Sequence, residues 1–234
     1  MVFVNERCSL LCREETPRET PGRRSCSDRR RGERMARPST PLLSPEIIGD
    51  AGLALARAGE PFGVNAIARS LGVRPSSLYN HADGADAILE LMRGRLIASY
   101  RVQPQGVPWD DYVLEVLRAQ RRMYADYPAL VPLLVDRTIT NPDLIASYDD
   151  LATVLVEAGF PEDEVLTIIA VIDAFAIGFG LDLASPDEVW RPEGDTRTLG
   201  RLLEGGVRGE ARAARSFELG AAILIDSLRA RLPR

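Results

Sequence analysis

Residues Phe62 to His81 read Phe-Gly-Val-Asn-Ala-Ile-Ala-Arg-Ser-Leu-Gly-Val-Arg-Pro-Ser-Ser-Leu-Tyr-Asn-His, and the reading of this stretch decides the fold. Val64, Ile67, Ala68 and Leu71 recur at i, i+3, i+4 and i+7, the spacing that lays one apolar stripe along a short helix. Gly72 follows, where a helix end takes a left-handed residue. Val73 is then placed to pack beneath the corner. Pro75 falls in the first turn of a second helix, where its missing N–H breaks no ladder bond. Leu78 faces inward, which leaves Arg74, Ser76, Ser77, Tyr79, Asn80 and His81 on the outer surface. These side chains suit phosphates and base edges when a helix enters a major groove. The stretch therefore predicts a helix-turn-helix, although helix–Gly–helix corners also occur in proteins that never touch nucleic acid.

The flanks decide between the two. Upstream, Ser44 is a good N-cap and Pro45 suits the first helical position, while Ile47, Ala51, Ala54, Leu55 and Ala58 keep a helical period up to Gly59. Downstream, Leu89, Met92, Leu96 and Tyr100 give a longer helix over about 85–100. Three short helices and the start of a fourth are enough to close a small core.

With these residues in place the chain resembles the tetracycline-repressor (TetR) family of transcriptional regulators over residues 44 to about 231. The resemblance rests on Ile67-Ala68, Leu71-Gly72-Val73, Ser77-Leu78-Tyr79 and His81, and on Phe217-Glu218-Leu219-Gly220 leading to Leu224-Ile225-Asp226-Ser227-Leu228 in the final helix. It implies a three-helix DNA-binding domain over 44–84 and a larger helical ligand-binding and dimerisation domain over 85–234. It also implies a homodimer on a palindromic double-stranded operator, with half-sites about 34 Å apart, and a small-molecule effector that releases it. The last two long helices of each subunit would form the dimer interface. Two positions depart from the pattern: Ala82 stands where the family usually has an aromatic residue, and Ala85 where it usually has a Lys that meets a phosphate.

Site expectations follow. Val64 and Asn65 open the motif's first helix, where backbone N–H groups and the Asn side chain meet DNA. Arg74 suits a bidentate guanine contact, Pro75 and Ser77 base methyls or phosphate, Tyr79 and His81 the backbone, and Asn80 a base edge. Small residues Ala170, Ala174 and Gly178 at i, i+4 and i+8, with Gly220, Leu224, Ser227 and Leu228, are expected at the dimer interface, though small residues serve intrachain packing as well. Met92, Leu96, Tyr100, Met123, Tyr127, Phe175 and Phe179 are candidates for an apolar effector pocket. Asp173 is the odd member, a carboxylate inside a near-continuous apolar run. An Arg from the last helix, Arg215 or Arg229, is its expected partner, and a polar anchor for a ligand is the alternative.

Charge bounds the rest. The chain has 234 residues, 45% of them apolar, and a net charge of −5. All 29 basic residues are Arg. Residues 1–34 hold nine Arg against six acids, 35–100 six against six, and 101–234 fourteen against twenty-two. The reading domain is thus neutral and the larger domain acidic, which predicts weak long-range attraction to DNA. Together with Ala82 and Ala85, it keeps open a rival: a helical ligand-binding or interaction protein of this fold that has lost strong DNA binding.

Residues 1–43 are expected to be a disordered, Arg-rich extension holding all three cysteines, with Met35 as a second plausible start. Cys8, Cys12 and Cys26 lack a fourth ligand and zinc spacing, so neither metal nor cofactor is expected. No cysteine follows Cys26, which fits a reducing, cytoplasmic compartment. The most apolar run, 165–181, has seventeen residues with Asp173 at its middle, below the roughly 20 needed to span a bilayer, and is expected to be a buried helix. The remaining pattern predicts helices over 109–127, 130–135, 142–158, 161–184 and 216–232, and no strand. The fold class is all-α. With a single His, and that in the reading motif, no catalytic constellation is legible, and an enzyme is not expected.

Overall fold

The computed structural model describes residues 43–194 and 196–232, so expectations for the Arg-rich extension lie outside the described residues. Helices run in the order α1 (Pro45–Arg57), α2 (Val64–Ser70), α3 (Pro75–Leu78), α4 (Ala85–Tyr100), α5 (Trp109–Asp126), α6 (Val131–Val135), α7 (Pro142–Glu157), α8 (Glu162–Asp182), α9 (Arg197–Glu204) and α10 (Gly209–Arg229), with a 3-10 turn at Pro128–Leu130 before α6. No strand occurs among the described residues. The fold is all-α, with a small head of α1–α3 seated on α4 and a larger body of α5–α10.

The head is built by caps and corners. Ser44 Oγ accepts from the Ile47 N–H at 3.3 Å, and Pro45 follows at the first position. α2 ends in a left-handed Gly72 at φ 67°. There the Val73 N–H reaches back to Ala68 O at 2.9 Å and the Gly72 N–H to Arg69 O at 3.2 Å, so the helix's last carbonyls are satisfied inside a tight turn. Ile48, Ile67, Leu78 and Met92 are fully buried together beneath it.

The buried face of α1 differs from the sequence stripe. Ile48, Gly49, Gly52, Leu53 and Ala56 are the buried residues, whereas Ala54 and Ala58 are exposed. The reason is a close approach. A Cβ at Gly49 would lie 2.9 Å from Leu91 O, and one at Gly52 would lie 2.7 Å from Met92 Sδ, so bare backbone lets α4 lie directly on α1. α4 then gives Ile88, Met92 and Leu96 to the head's core, and the described residues form one compact unit.

The body packs α5, α7, α8 and α10 around Tyr112, Leu117, Leu155, Ile172 and Phe217. Asn141 caps α7 by accepting from the Leu144 N–H at 3.0 Å. α10 begins at Gly209, seven residues before the sequence pattern placed it. Its added turns carry Ala213 into the core, in step with Phe217 and Ala221, and Arg212 onto Asp182 at 2.8 Å. α8 also departs from expectation. It is long and apolar enough to cross a membrane by length and composition alone, with a mean hydropathy of 2.0, but only a third of that stretch is buried. Its inner face packs and its outer face is bare, so it is not a fully buried helix.

Candidate functional site

Two sites lie at opposite ends of α4. At the head, Asn65, Arg74, Pro75, Tyr79, Asn80 and His81 are all exposed, while Ser77 is half-buried. Val64 is half-buried against the core, so its outward chemistry is confined to the backbone. Arg69 and Arg74 make no ion pair among the described residues. Burial of Leu78 fixes this surface: with the one inward residue of α3 pinned in the core, the neighbours on either side are turned to solvent.

The two departures separate here. Ala82 is buried in the head's core, so the missing aromatic is a packing difference and no contact to an external partner is lost there. Ala85 is exposed as the first residue of α4, where a side chain would face outward.

In the body a cavity of about 300 Å³ opens between α4, α5, α6, α7 and α8. Leu96, Tyr100, Met123 and Asp173 lie in its wall, together with Arg93, Gln120, Tyr124, Tyr148, Leu151 and Ile177, which the sequence did not single out. Four other candidates lie elsewhere. Met92 points into the head's core and Tyr127 packs at its edge, its ring under the Arg57 guanidinium at 4.9 Å. Phe175 and Phe179 stack on each other at 4.5 Å and on Phe217, facing α10 rather than the cavity.

Asp173 does not pair with an Arg. Gln120 Nε2 donates to its Oδ1 at 3.0 Å and the Tyr148 hydroxyl to its Oδ2 at 2.8 Å. Arg229 instead meets Asp110 and Asp226, and Arg215 is exposed. An arginine on α10 cannot reach Asp173 because Phe175, Phe179 and Phe217 fill the space between α8 and α10. Burial pushes the Asp173 carboxyl above the usual carboxylate range, against the opposing pull of the Tyr148 and Gln120 hydrogen bonds. Burial likewise raises the Tyr148 and Tyr124 hydroxyls.

The opposite wall is held by Arg93, only 3% exposed. It donates to the carbonyls of Leu134 at 2.6 Å, Thr138 at 3.1 Å and Arg137 at 3.3 Å, and pairs with Glu90. One side chain thus ties the segment after α6 to α4. Between the cavity and the head, the Tyr100 hydroxyl donates to Asp126, which also receives Arg57 of α1 at 2.7 Å. The Tyr100 hydroxyl is pushed up to about 12, by burial first and then by Asp126.

Of the residues expected at a dimer interface, Ala170, Ala174, Gly178 and Ser227 are exposed. Gly220 and Leu228 serve the subunit itself. A Cβ on Gly220 would sit 2.9 Å from Phe179 and 3.0 Å from Phe175, and Leu228 is buried in the body's core. Leu224 is half-buried against that core. The bare face of α8 and α10 carries Leu166, Val171, Leu219 and Ile223, all exposed. Among the described residues no group of three or more His, Cys, Asp or Glu converges as a metal site would.

Known proteins agree with this architecture. Residues 103–232 match the family model described as the tetracyclin repressor-like C-terminal domain. A curated relative, the helix-turn-helix transcriptional repressor DrrR1 of Streptomyces coeruleorubidus, is 23% identical over 176 residues, which is 71% of this chain and 62% of that relative's length. Apo ActR from Streptomyces coelicolor superposes with a TM-score of 0.67 at 21% identity, covering 82% of this chain and 97% of ActR. ActR has also been solved in complex with actinorhodin. TetR from Acinetobacter baumannii superposes with a TM-score of 0.62 at 17% identity over 82% of this chain and all of that one.

Proposed function

The chain belongs to the tetracycline-repressor family of transcriptional regulators, and from that premise we propose that it is a homodimeric repressor released from its operator by a small molecule. The observation that carries the reading is one continuous path. The cavity wall residue Tyr100 and the head residue Arg57 share a single carboxylate, Asp126, so occupation of the cavity and the tilt of the head meet at one point.

Each subunit presents Arg74 to His81 to a major groove. Arg74 reads a guanine edge, Asn80 a second edge, and Tyr79, Ser77, His81 and the N–H groups around Val64 and Asn65 hold phosphate. The bare face of α8 and α10, with its small residues Ala170, Ala174 and Gly178 between Leu166, Val171, Leu219 and Ile223, joins two copies. Such a pairing buries four long helices side by side and places two heads on successive turns of a palindromic operator. An effector that fits the cavity better in one head orientation than in the other must weaken DNA binding by the same factor that DNA weakens it. ActR, whose complex with actinorhodin shows a ligand-bound relative of this fold, supports an effector of comparable kind. No catalytic role is assigned to the chain, and as a regulator of DNA it acts in the cytoplasm.

A second reading has its own support: Ala85 leaves the start of α4 without a cation, consistent with a protein of this fold that has lost strong DNA binding. One experiment decides. Purified full-length protein is used to select fragments from sheared DNA of its source genome. Recovery of one palindromic site, bound by two subunits, upholds the repressor; recovery of no enriched site favours the second reading.

A further inference from the structure

Three arginines and one carboxylate face the cavity, and their accounts do not balance. Arg93 is paired with Glu90, Arg101 with Asp150, and Arg137 with Asp86, so each positive charge is neutralised within the protein. Asp173 has two neutral donors and no cation. The unpaired charge in the wall is therefore negative, and it sits among Leu96, Met123, Leu151 and Ile177, where water screens it poorly.

Gln120 supplies a second observation. An ionised carboxylate only accepts, so the amide must turn its Nε2 toward Asp173. That leaves Gln120 Oε1 buried without a hydrogen-bond partner. An acceptor left bare in a protein interior is destabilising, and a donor arriving from outside relieves it. Asp173 and the orphaned Gln120 Oε1 lie on one wall and favour a group that donates hydrogen bonds and carries positive charge, while Arg101 Nε, also buried without a partner, is an orphaned donor in the lining.

We infer that the cavity selects an apolar organic molecule bearing a protonated amine, its ammonium seated on the Asp173 carboxylate with Gln120 Oε1 as the second acceptor; this rests on the reading of the cavity as the effector site. A carboxylate-bearing ligand meets repulsion from Asp173 and finds the charges of Arg93, Arg101 and Arg137 already in ion pairs, although Arg101 Nε itself has no hydrogen-bond partner. A neutral ligand leaves the charge uncompensated. The volume of about 300 Å³ suits a body of three fused rings.

Three fluorescent probes of one shape test it: 9-(aminomethyl)anthracene, protonated at pH 7, 9-anthracenemethanol, neutral, and 9-anthracenecarboxylate, anionic. Each is titrated into the full-length protein and into Asp173→Asn. The wild type is expected to bind the ammonium probe about tenfold more tightly than the alcohol, the range of a hydrogen bond to a charged group, and the carboxylate most weakly. Asp173→Asn should lose that tenfold advantage and keep the alcohol within about twofold. The wild-type series stands alone if the variant folds poorly. Binding of the alcohol with no ammonium advantage, or an advantage that survives in Asp173→Asn, overturns the inference and leaves the cavity as an effector site. Failure of all three to bind the wild type overturns both.

Discussion

The head and the body treat polar groups in opposite ways. In the head, the core is apolar and the polar side chains of Asn65, Arg69, Arg74, Asn80 and His81 stand in solvent. At the cavity, Arg93 of α4 and Gln120 and Asp173 of the body are drawn into the wall, where their partners are carbonyls, the Glu90 carboxylate, a hydroxyl and one another. A polar group in water costs nothing to keep and is free to meet a macromolecule whose surface is also polar. A polar group in a low-dielectric wall is held only by partners that satisfy it. The head is therefore suited to exchange solvent for DNA, and the body to choose among small molecules by what they leave unsatisfied.

The comparison breaks most visibly at its extremes. Arg93→Met removes three carbonyl contacts and the partner of Glu90 at a site that excludes water, and should cost about 3 kcal/mol or more of stability, read by urea denaturation. Next in size is Gly220→Leu. Its side chain would drive into Phe175 and Phe179 inside the subunit, so overpacking of about 1–3 kcal/mol is expected even in a monomer. Gly178→Leu meets nothing within its own subunit. It should leave the subunit folded and shift sedimentation toward the monomer. Equal loss of stability from both variants would show that Gly178 also belongs to the subunit core.

Arg74→Ala tests the other half. It should change stability by less than about 0.5 kcal/mol, because the side chain is exposed. Operator affinity should fall by about 1–3 kcal/mol with relaxed preference at one base position. Equal losses on operator and random DNA would place Arg74 on the backbone.

How much of this was legible follows the same divide. Head residues are close in sequence, so the period of Ile67, Ala68 and Leu71, the corner at Gly72 and the proline at Pro75 specify the motif locally. The exception is α1, whose buried face runs through Gly49 and Gly52. A stripe read from apolar side chains misses it because the contact is made by bare backbone against α4. In the body, helix limits were mostly readable, but not which faces meet. Phe175 and Asp173 are two residues apart on α8, yet one faces α10 and the other the cavity. Gln120 and Tyr148, the partners of Asp173, lie 53 and 25 residues away, and nothing in a single sequence pairs them.

A smaller effect bears on that pairing. Burial raises the Asp173 carboxyl above its unfolded value, so the folded chain holds its proton to a higher pH than the unfolded chain does. The contribution to stability is full below the unfolded value, near 4, and is lost as pH rises through the folded one. Asn does not titrate. The stability of Asp173→Asn relative to wild type should therefore rise between about pH 4 and neutrality, as followed by urea denaturation of both proteins across that range. Saturating 9-(aminomethyl)anthracene should oppose the trend by stabilising the ionised wild type more than Asp173→Asn. A difference that stays flat with pH would mean that Asp173 is as well solvated as an exposed carboxylate.

The smallest effect concerns the head's missing cation. Ala85 is exposed at the first position of α4, and the head offers no compensating Lys. Ala85→Lys should add one phosphate contact per subunit, steepening log K against log[salt] by about 0.9 for each. Affinity for the operator should rise at low salt while the preference for operator over random DNA holds, because a phosphate contact positions a protein without reading sequence. The amino end of α4 opposes the added charge by about 0.3–1 kcal/mol, which trims the gain but not the slope. Titrations of operator at several salt concentrations measure both quantities. A slope that does not change would show that residue 85 faces away from the duplex, and that the head meets DNA through Arg74 to His81 without help from α4.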